Sequence, residues 1–311
     1  MIEVIQYKPD LKTQWNTFVS ESKNGVFLFS RDYMEYHEDR FPDSSYIFLR
    51  DHKWVAVLPG CRLNDEFISH SGLTFGGMIT QNKMTTALML DIFESLLHRL
   101  RSENIKRFVY KAIPHFYHQS PADEDLYALF RNGFRLIRRD VGSVVNPSLP
   151  LNLQKRRIRM VNKAKLNNIT VEKSQDIEAY WKLLEKTLSG RHHARPVHSL
   201  AEIKLLQLRF PENITLWVAN HDNTMISGTL IYENATVAHT QYIASNETGK
   251  KLHALDFLFH QLITKTYKSK NWISFGISTE NEGAVLNKGL VEHKEGFGAR
   301  ACVQDFYELN F

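Results

Sequence analysis

Apolar and polar positions along the chain follow two periods, one of about two residues and one of about 3.6, and they change over at proline, glycine and small polar residues. Ile2 to Tyr7 alternates as a strand, and Pro9 opens a helical stretch carrying Trp15, Phe18 and Val19. Val26 to Phe29 reads as a short strand, with Ser30 as N-cap of a helix from Arg31 to Arg40. Tyr46 to Leu49 and Trp54 to Pro59 read as paired strands, and Glu66 to His70 as another. Met84 to Arg101 is an amphipathic helix with Leu88, Ile92, Phe93, Leu96, Leu97 and Leu100 on one face. A strand from Lys106 to Ile113, a helix from Asp123 to Asn132 ended by Gly133, and a strand from Arg135 to Val145 follow.

After Pro147 and Pro150 the order runs again. A basic helix from Leu153 to Asn167 precedes a strand at Ile169 to Lys173 and helices over Ile177 to Leu188 and Ser199 to Arg209. Leu216 to Ala219, Met225 to Glu233 and Thr236 to Ala244 form a three-stranded meander. A helix from His253 to Lys268, a strand from Trp272 to Ile277, a short helix near Ala284 to Leu290 and a last strand from Ala301 to Leu309 complete the chain. Both halves therefore show helices, a meander, a helix, a strand, a helix and a final strand. This predicts an α/β (α+β) protein of two similar domains, 1–150 and 151–311, each a mixed, largely antiparallel sheet flanked by helices.

Length agrees, because 311 residues exceed one ordinary core and suit two domains of about 150. The formal charge of +5 fits either a lysine-rich solvated surface or an anionic partner. Cys61 and Cys302 sit in strand-like stretches without metal-ligand spacing, so reduced buried thiols are expected and neither a disulfide framework nor a metal site. The first residues lack the basic and apolar regions of a signal peptide, and no apolar run would span a bilayer, so a cytoplasmic protein is expected.

Two groups of residues go beyond pattern. One is Phe29-Ser30-Arg31-Asp32-Tyr33-Met34-Glu35-Tyr36-His37 with Ser69-His70-Ser71-Gly72-Leu73-Thr74-Phe75-Gly76-Gly77. The other is Ala238-His239-Thr240-Gln241-Tyr242-Ile243-Ala244-Ser245 with Phe275-Gly276-Ile277-Ser278-Thr279-Glu280 and Lys294-Glu295-Gly296-Phe297-Gly298. Together they resemble Fem-related acyltransferases of the GNAT superfamily, over nearly the whole chain. The resemblance implies two tandem GNAT-like domains. It also implies transfer of an acyl or aminoacyl group to an amine of an envelope or polysaccharide precursor, with acyl-CoA or aminoacyl-tRNA as donor. No heptad run marks the coiled-coil arm of the larger tRNA-using members. The turn where CoA-using members carry several glycines reads Ser245-Asn246-Glu247-Thr248-Gly249-Lys250-Lys251, with one glycine.

Acyl transfer to an amine requires deprotonation, oxyanion stabilisation and positioning. Glu280, just after a strand, is a candidate base or ammonium ligand, and a plain surface turn is the competing reading. Lys294 is a candidate for a phosphate or the oxyanion. His239 and Gln241 alternate on a strand, share a face and could line a pocket, or merely satisfy buried hydrogen bonds. Arg31, Tyr36 and His37, with Arg40, would hold an anionic acceptor or form a solvated helix face. His70 and the loop carrying Gly72, Thr74 and Gly76 would admit a ligand close to the backbone. Tyr242, Ser278 and Asn287 join the substrate-binding set, and Gly249, Lys250 and Lys251 the donor-binding set.

The basic run from Lys155 to Lys165 could bind phosphate or RNA, or serve inside the fold. Arg191 to Pro196 reads as a polar loop over the cleft. The expected partners are a small anionic amine acceptor and possibly an aminoacyl-tRNA donor, with no DNA. No permanently bound cofactor is expected, and acyl-CoA would be a co-substrate. The competing class is a non-catalytic GNAT-like module that binds an anionic ligand or RNA.

Overall fold

The computed structural model describes residues 1–192 and 195–311. The expected polar loop at 191–196 therefore falls partly outside the described residues, and its first two positions are the end of a helix, Ile177–His192.

Along the chain the strands and helices are β1 (Ile2–Gln6), α1 (Lys12–Glu21), α2 (Arg31–Met34), β2 (Tyr46–Arg50), β3 (Lys53–Leu58), β4 (Cys61–Leu63), β5 (Glu66–Ile68), β6 (Ile79–Thr80), α3 (Thr86–Ser102), β7 (Arg107–Lys111), α4 (Glu124–Arg131) and β8 (Arg135–Val145). There follow α5 (Lys155–Leu166), β9 (Thr170–Ser174), α6 (Ile177–His192), α7 (Leu200–Arg209), β10 (Ile214–His221), β11 (Thr224–Glu233), β12 (Val237–Ser245), α8 (Glu247–Lys251), α9 (Ala254–Gln261), β13 (Trp272–Ile277), β14 (Thr279–Glu280), β15 (Val285–Leu286), α10 (Lys288–Glu295) and β16 (Arg300–Asn310). Two expectations are corrected. Val26 to Phe29 is not a strand, because Phe27–Phe29 is a 3-10 turn that buries Leu28 and Phe29. The helix expected from Arg31 to Arg40 is only four residues long before it tightens into a 3-10 turn at Glu35–His37.

Two compact units divide the chain. The first comprises Met1–Val141, Thr279–Val285 and Val303–Phe311, and the second Gly142–Ser278 and Leu286–Cys302. The first unit holds a small sheet in the order β1-β2-β3-β6 and a second sheet in which β4, β5, β7, β16 and β8 are neighbours. Its core forms where α3 lays Leu88, Ile92, Phe93, Leu96, Leu97 and Leu100 against Phe67, Phe108 and Tyr110. Helix α3 begins at the Thr85 cap, whose side chain accepts from Leu88 N.

In the second unit the strand order is β8-β13-β12-β11-β10-β9. β10, β11 and β12 form the antiparallel meander expected from sequence. β12 and β13 run parallel. The core is built from Leu258, Phe259, Leu262 and Ile263 with Phe275 and Phe297. Both cysteines are buried and free. No helix among the described residues is long and apolar enough to cross a membrane.

Candidate active site

In the second unit two irregularities fall side by side. The parallel pairing of β12 with β13 runs Val237↔Trp272, Ala238↔Ile273 and His239↔Ser274 and ends there. Just beyond, β12 slips against β11, where Leu230 faces Tyr242 and Ile231 faces Thr240, so Gln241 is an extra residue. The pairing of β13 with β8 slips between Ser274 and Ile277, and Gly276 takes φ +68°. Bulges bend strands and leave backbone groups unpaired. Here they coincide with the parting of two parallel strands.

Lys294, in the last turn of α10, takes up the freed groups. Its Nζ donates to Gly276 O at 2.9 Å and Ile277 O at 2.6 Å. The side chain is 4% exposed. Burial brings the ammonium down to about 8. An ammonium has three protons and two are spent here, so one remains to offer. Burial also pushes the Cys302 thiol up to about 11, which keeps it neutral.

Lys294 lines a cavity of about 530 Å³ bounded by the far end of β12, Phe275 of β13, Asp256 and Phe259 of α9, and Leu290 and His293 of α10. Arg156 and Lys250 form its cationic side, with Gly249 beside them. Arg157 braces one wall, with Nη1 on Asp256 Oδ1 at 2.6 Å and Nη2 on His293 Nδ1 at 2.7 Å and His293 O at 3.1 Å. Its guanidinium lies 4.6 Å from the Phe297 ring centroid. Gly296 leaves room for it, because a Cβ there would stand 2.9 Å from Arg157 Nε. Of the basic run, then, Arg157 turns inward, while Lys155, Arg156, Arg159, Lys163 and Lys165 are exposed.

The other sequence candidates in this unit divide. His239 bonds Ser274 Oγ through Nδ1 at 3.0 Å, and burial with Lys294 nearby brings it down to about 4, so it is neutral at pH 7. It does not line the cavity. The bulge at Gln241 breaks the alternation expected to put it on the same face as His239. Tyr242 receives a hydrogen bond from His198 N at 3.3 Å, pairs with His198 Nδ1 at 2.7 Å and packs edge-on against Trp181. Asn287 caps α10 by accepting from Leu290 N at 3.0 Å. Ser278 is buried, and its hydroxyl has no partner among the described residues.

Gly249 and Lys250 line the cavity and Lys251 is exposed outside it. Gly249 is there for packing. A Cβ would meet Ser227 Oγ at 2.4 Å and Ile226 O at 2.5 Å. Asn246 Oδ1 already accepts from Gly249 N at 2.8 Å, and Lys250 is paired with Glu247.

Glu280 belongs to the first unit, is exposed on the two-residue strand β14, and is absent from the cavity wall. The first-unit candidates gather in a packed cluster. The loop at Ser69 to Gly77 wraps Lys111, whose Nζ donates to His70 O at 3.1 Å and also to Leu73 O, and burial brings this lysine down to about 8. His70 is buried with φ +59° and is pushed well below the usual histidine range by burial. His37 packs against Phe41 and His70 at ring distances of 5.1 and 5.4 Å. A Cβ on Gly72 would lie 2.1 Å from His37 Nε2, and one on Gly76 would lie 1.9 Å from Ser69 O, so these glycines serve close packing. Thr74 is exposed, and its carbonyl accepts from Gln304 Nε2 at 2.7 Å. Tyr36 is half-buried, with the Arg40 guanidinium 5.8 Å from its ring.

The expectation that Arg31 holds an acceptor is corrected. It is 2% exposed, paired with Glu35 at 3.2 Å and Asp43 at 2.8 Å, and 3.7 Å from the Tyr7 ring centroid. Its Nε and Nη1 donors are committed inside the fold. No group of His, Cys, Asp and Glu suited to a metal occurs among the described residues.

Comparison with known proteins bears on the fold. No protein-family model matches the sequence, and no curated protein matches it. Among solved structures, the crystal structure of FemX superposes with a TM-score of 0.71 at 11% identity, covering 99% of this chain and 97% of that one. L-PGS from Bacillus licheniformis gives 0.64 at 12% identity, covering 97% and 92%. The C-terminal domain of a putative lysylphosphatidylglycerol synthetase from Agrobacterium fabrum gives 0.62 at 10%, again covering 97% and 92%. The chain shares the fold of FemX and of these lysylphosphatidylglycerol synthetase structures, the Fem-like fold that its residues suggested.

Proposed function

We propose that the second-unit cavity is the reaction site of an N-acyltransferase. It would move an aminoacyl group from an aminoacyl-tRNA to an amine of an anionic, envelope-directed precursor in the cytoplasm. The observation that carries this reading is Lys294, a buried ammonium held by two bulge carbonyls with one proton left, on the wall of a cavity that also carries Arg156 and Lys250. A fixed donor in a water-poor site stabilises the charge that develops on a carbonyl oxygen during acyl transfer.

In the step itself the acceptor nitrogen attacks the ester carbonyl carbon of the donor. A C–N bond forms, the bond from that carbon to the ribose oxygen breaks, and the proton lost by the amine ends on the released hydroxyl. The Lys294 ammonium holds the oxyanion in between. No covalent link to the protein is needed.

Two features favour a tRNA ester over acyl-CoA. The first turn of α8 is already satisfied from within, because Asn246 occupies the Gly249 N–H and Glu247 is paired with Lys250. The solved structures with TM-scores above 0.6 also include FemX and proteins named for lysylphosphatidylglycerol synthesis.

The test supplies purified protein with tRNA charged with labelled amino acids or with labelled acetyl-CoA, plus nucleotide-linked muropeptides and amino sugars. Label should pass from tRNA to an acceptor and be lost in K294M. Consumption of neither donor would reject the transfer reading and leave the binding-module alternative. Transfer from acetyl-CoA alone would replace the donor.

A further inference from the structure

The wall braced by Arg157 carries a group that the transfer reading does not use. Arginine is a donor only and cannot accept a hydrogen bond. Its Nη2 lies 2.7 Å from His293 Nδ1, so Nδ1 must be the acceptor, and the ring proton is fixed on Nε2. The arrangement is held at three points. Asp256 anchors the other guanidinium nitrogen at 2.6 Å, the His293 carbonyl takes a second bond from Nη2 at 3.1 Å, and Phe297 packs edge-on against the imidazole at 5.5 Å. His293 Nε2, across the ring, has no protein partner among the described residues and is not sealed among the buried polar atoms, although the side chain lines the cavity.

We propose that His293 is a second hydrogen-bond donor of this site. Its Nε2–H and the remaining Lys294 proton would both be offered to the carbonyl oxygen of the bound acyl donor, with Arg157 as the positioning residue that sets the tautomer. The proposal rests on the transfer reading for the identity of the oxygen, and on the Arg157 geometry alone for the tautomer. A carbonyl oxygen has two lone pairs, so two neighbouring donors complete its shell as negative charge grows. His293 and Lys294 are consecutive on α10 and line the same cavity. The charged groups acting on the imidazole are Arg157, Lys294 and Arg156, which oppose a proton on Nδ1, and Asp256, which favours one. Burial adds to the first set and holds His293 down to about 4. A neutral imidazole can donate without exchanging its proton, and it leaves the Lys294 charge undiminished.

Long-range proton–nitrogen spectra of histidine-labelled protein, assigned with H293Q, read the tautomer directly. The expected pattern is neutral Nε2–H from pH 6 to 8. In the R157M variant, checked for folding by its other amide resonances, the fixed pattern should give way to a tautomer mixture. The probe for the oxygen is 3′-aminoacylamino-3′-deoxyadenosine, a stable mimic of the charged tRNA end, with acetyl-CoA in parallel. Saturating the adenosine mimic should shift the His293 Nε2–H resonance, and a shift with acetyl-CoA alone would replace the donor but not the role of His293. In transfer assays H293F should lose at least tenfold in kcat, and H293Q, which keeps an N–H donor, should regain most of that. An Nδ1–H or imidazolium His293 at pH 7, or an H293F enzyme of full activity, would overturn the proposal whatever the probes do. Absence of transfer and of probe binding in a protein whose His293 shows the expected tautomer would instead sink the transfer reading.

Discussion

Replacing Lys294 with methionine separates a functional lysine from a structural one. Methionine matches the length of the buried stem and removes the ammonium. In the folded protein the group titrates at about 8 against an unperturbed 10.5, so at pH 7 its proton opposes folding by about 3 kcal/mol. Losing that penalty offsets the two carbonyls of Gly276 and Ile277 left without Nζ, at about 1–3 kcal/mol each. K294M should therefore be close to wild type in stability at pH 7. The sign at higher pH follows from a lowered folded-state value. Between pH 8 and 10.5 the unfolded chain binds more protons than the folded one, so wild-type stability rises with pH through this window. Urea unfolding at pH 7.0 and 9.5 should show wild type gaining about 2 kcal/mol on K294M. Lys111 also titrates near 8, but it is present in both proteins and cancels in the comparison. Transfer should be lost in K294M at every pH and should fall in wild type above about pH 8 as the ammonium discharges. A stability difference that does not change with pH would refute the buried-ammonium argument, and an active K294M would refute the role.

Asp125 is buried, accepts from Tyr110 Oη at 2.5 Å and is pushed up to about 7, chiefly by burial. Its folded-state value lies above the unfolded one, so stability should fall as pH rises from about 4 to 7, and D125N should flatten that part of the urea-midpoint profile. G249A should cost about 2 kcal/mol, read as a lowered midpoint, because its Cβ would meet Ile226 O at 2.5 Å. E280Q should retain at least half the transfer rate, given its exposure and absence from the cavity wall; a hundredfold loss would return Glu280 to the machinery.

Elements with a strong period were legible in the sequence. The α3 stripe from Leu88 to Leu100 and the meander of β10 to β12 are where the pattern put them, because one buried face dictates each spacing. Phe27–Phe29 misled because three consecutive apolar residues, two of them buried, fit a 3-10 turn as well as a strand. The helix read from His253 to Lys268 divides into α9 and a π turn at Leu262–Thr266, a change of hydrogen bonding that leaves the apolar spacing almost unaltered. The motif Lys294 to Gly298 marked Lys294 as a candidate, and the structure puts that lysine on the cavity wall. The functions read into Arg31, Gly72 and Gly76 were not found because packing and ligand approach ask for the same residue types. Asp256 and His293 passed unnoticed. They lie on different helices and are joined by Arg157 from a third helix, and no local spacing records such a contact.

The last strand carries a consequence for synthesis. Residues Val303–Phe311 belong to the first unit, where Phe306 to Asn310 pair with Arg107 to Lys111 of β7. The ribosome makes β7 nearly 200 residues before its partner, so the first unit cannot close its sheet until β16 has also been made. A fragment stopping at residue 150 would present the bare edge of β7 to any passing strand. Loss of residues 303–311 would therefore damage a unit whose other strands are made long before them.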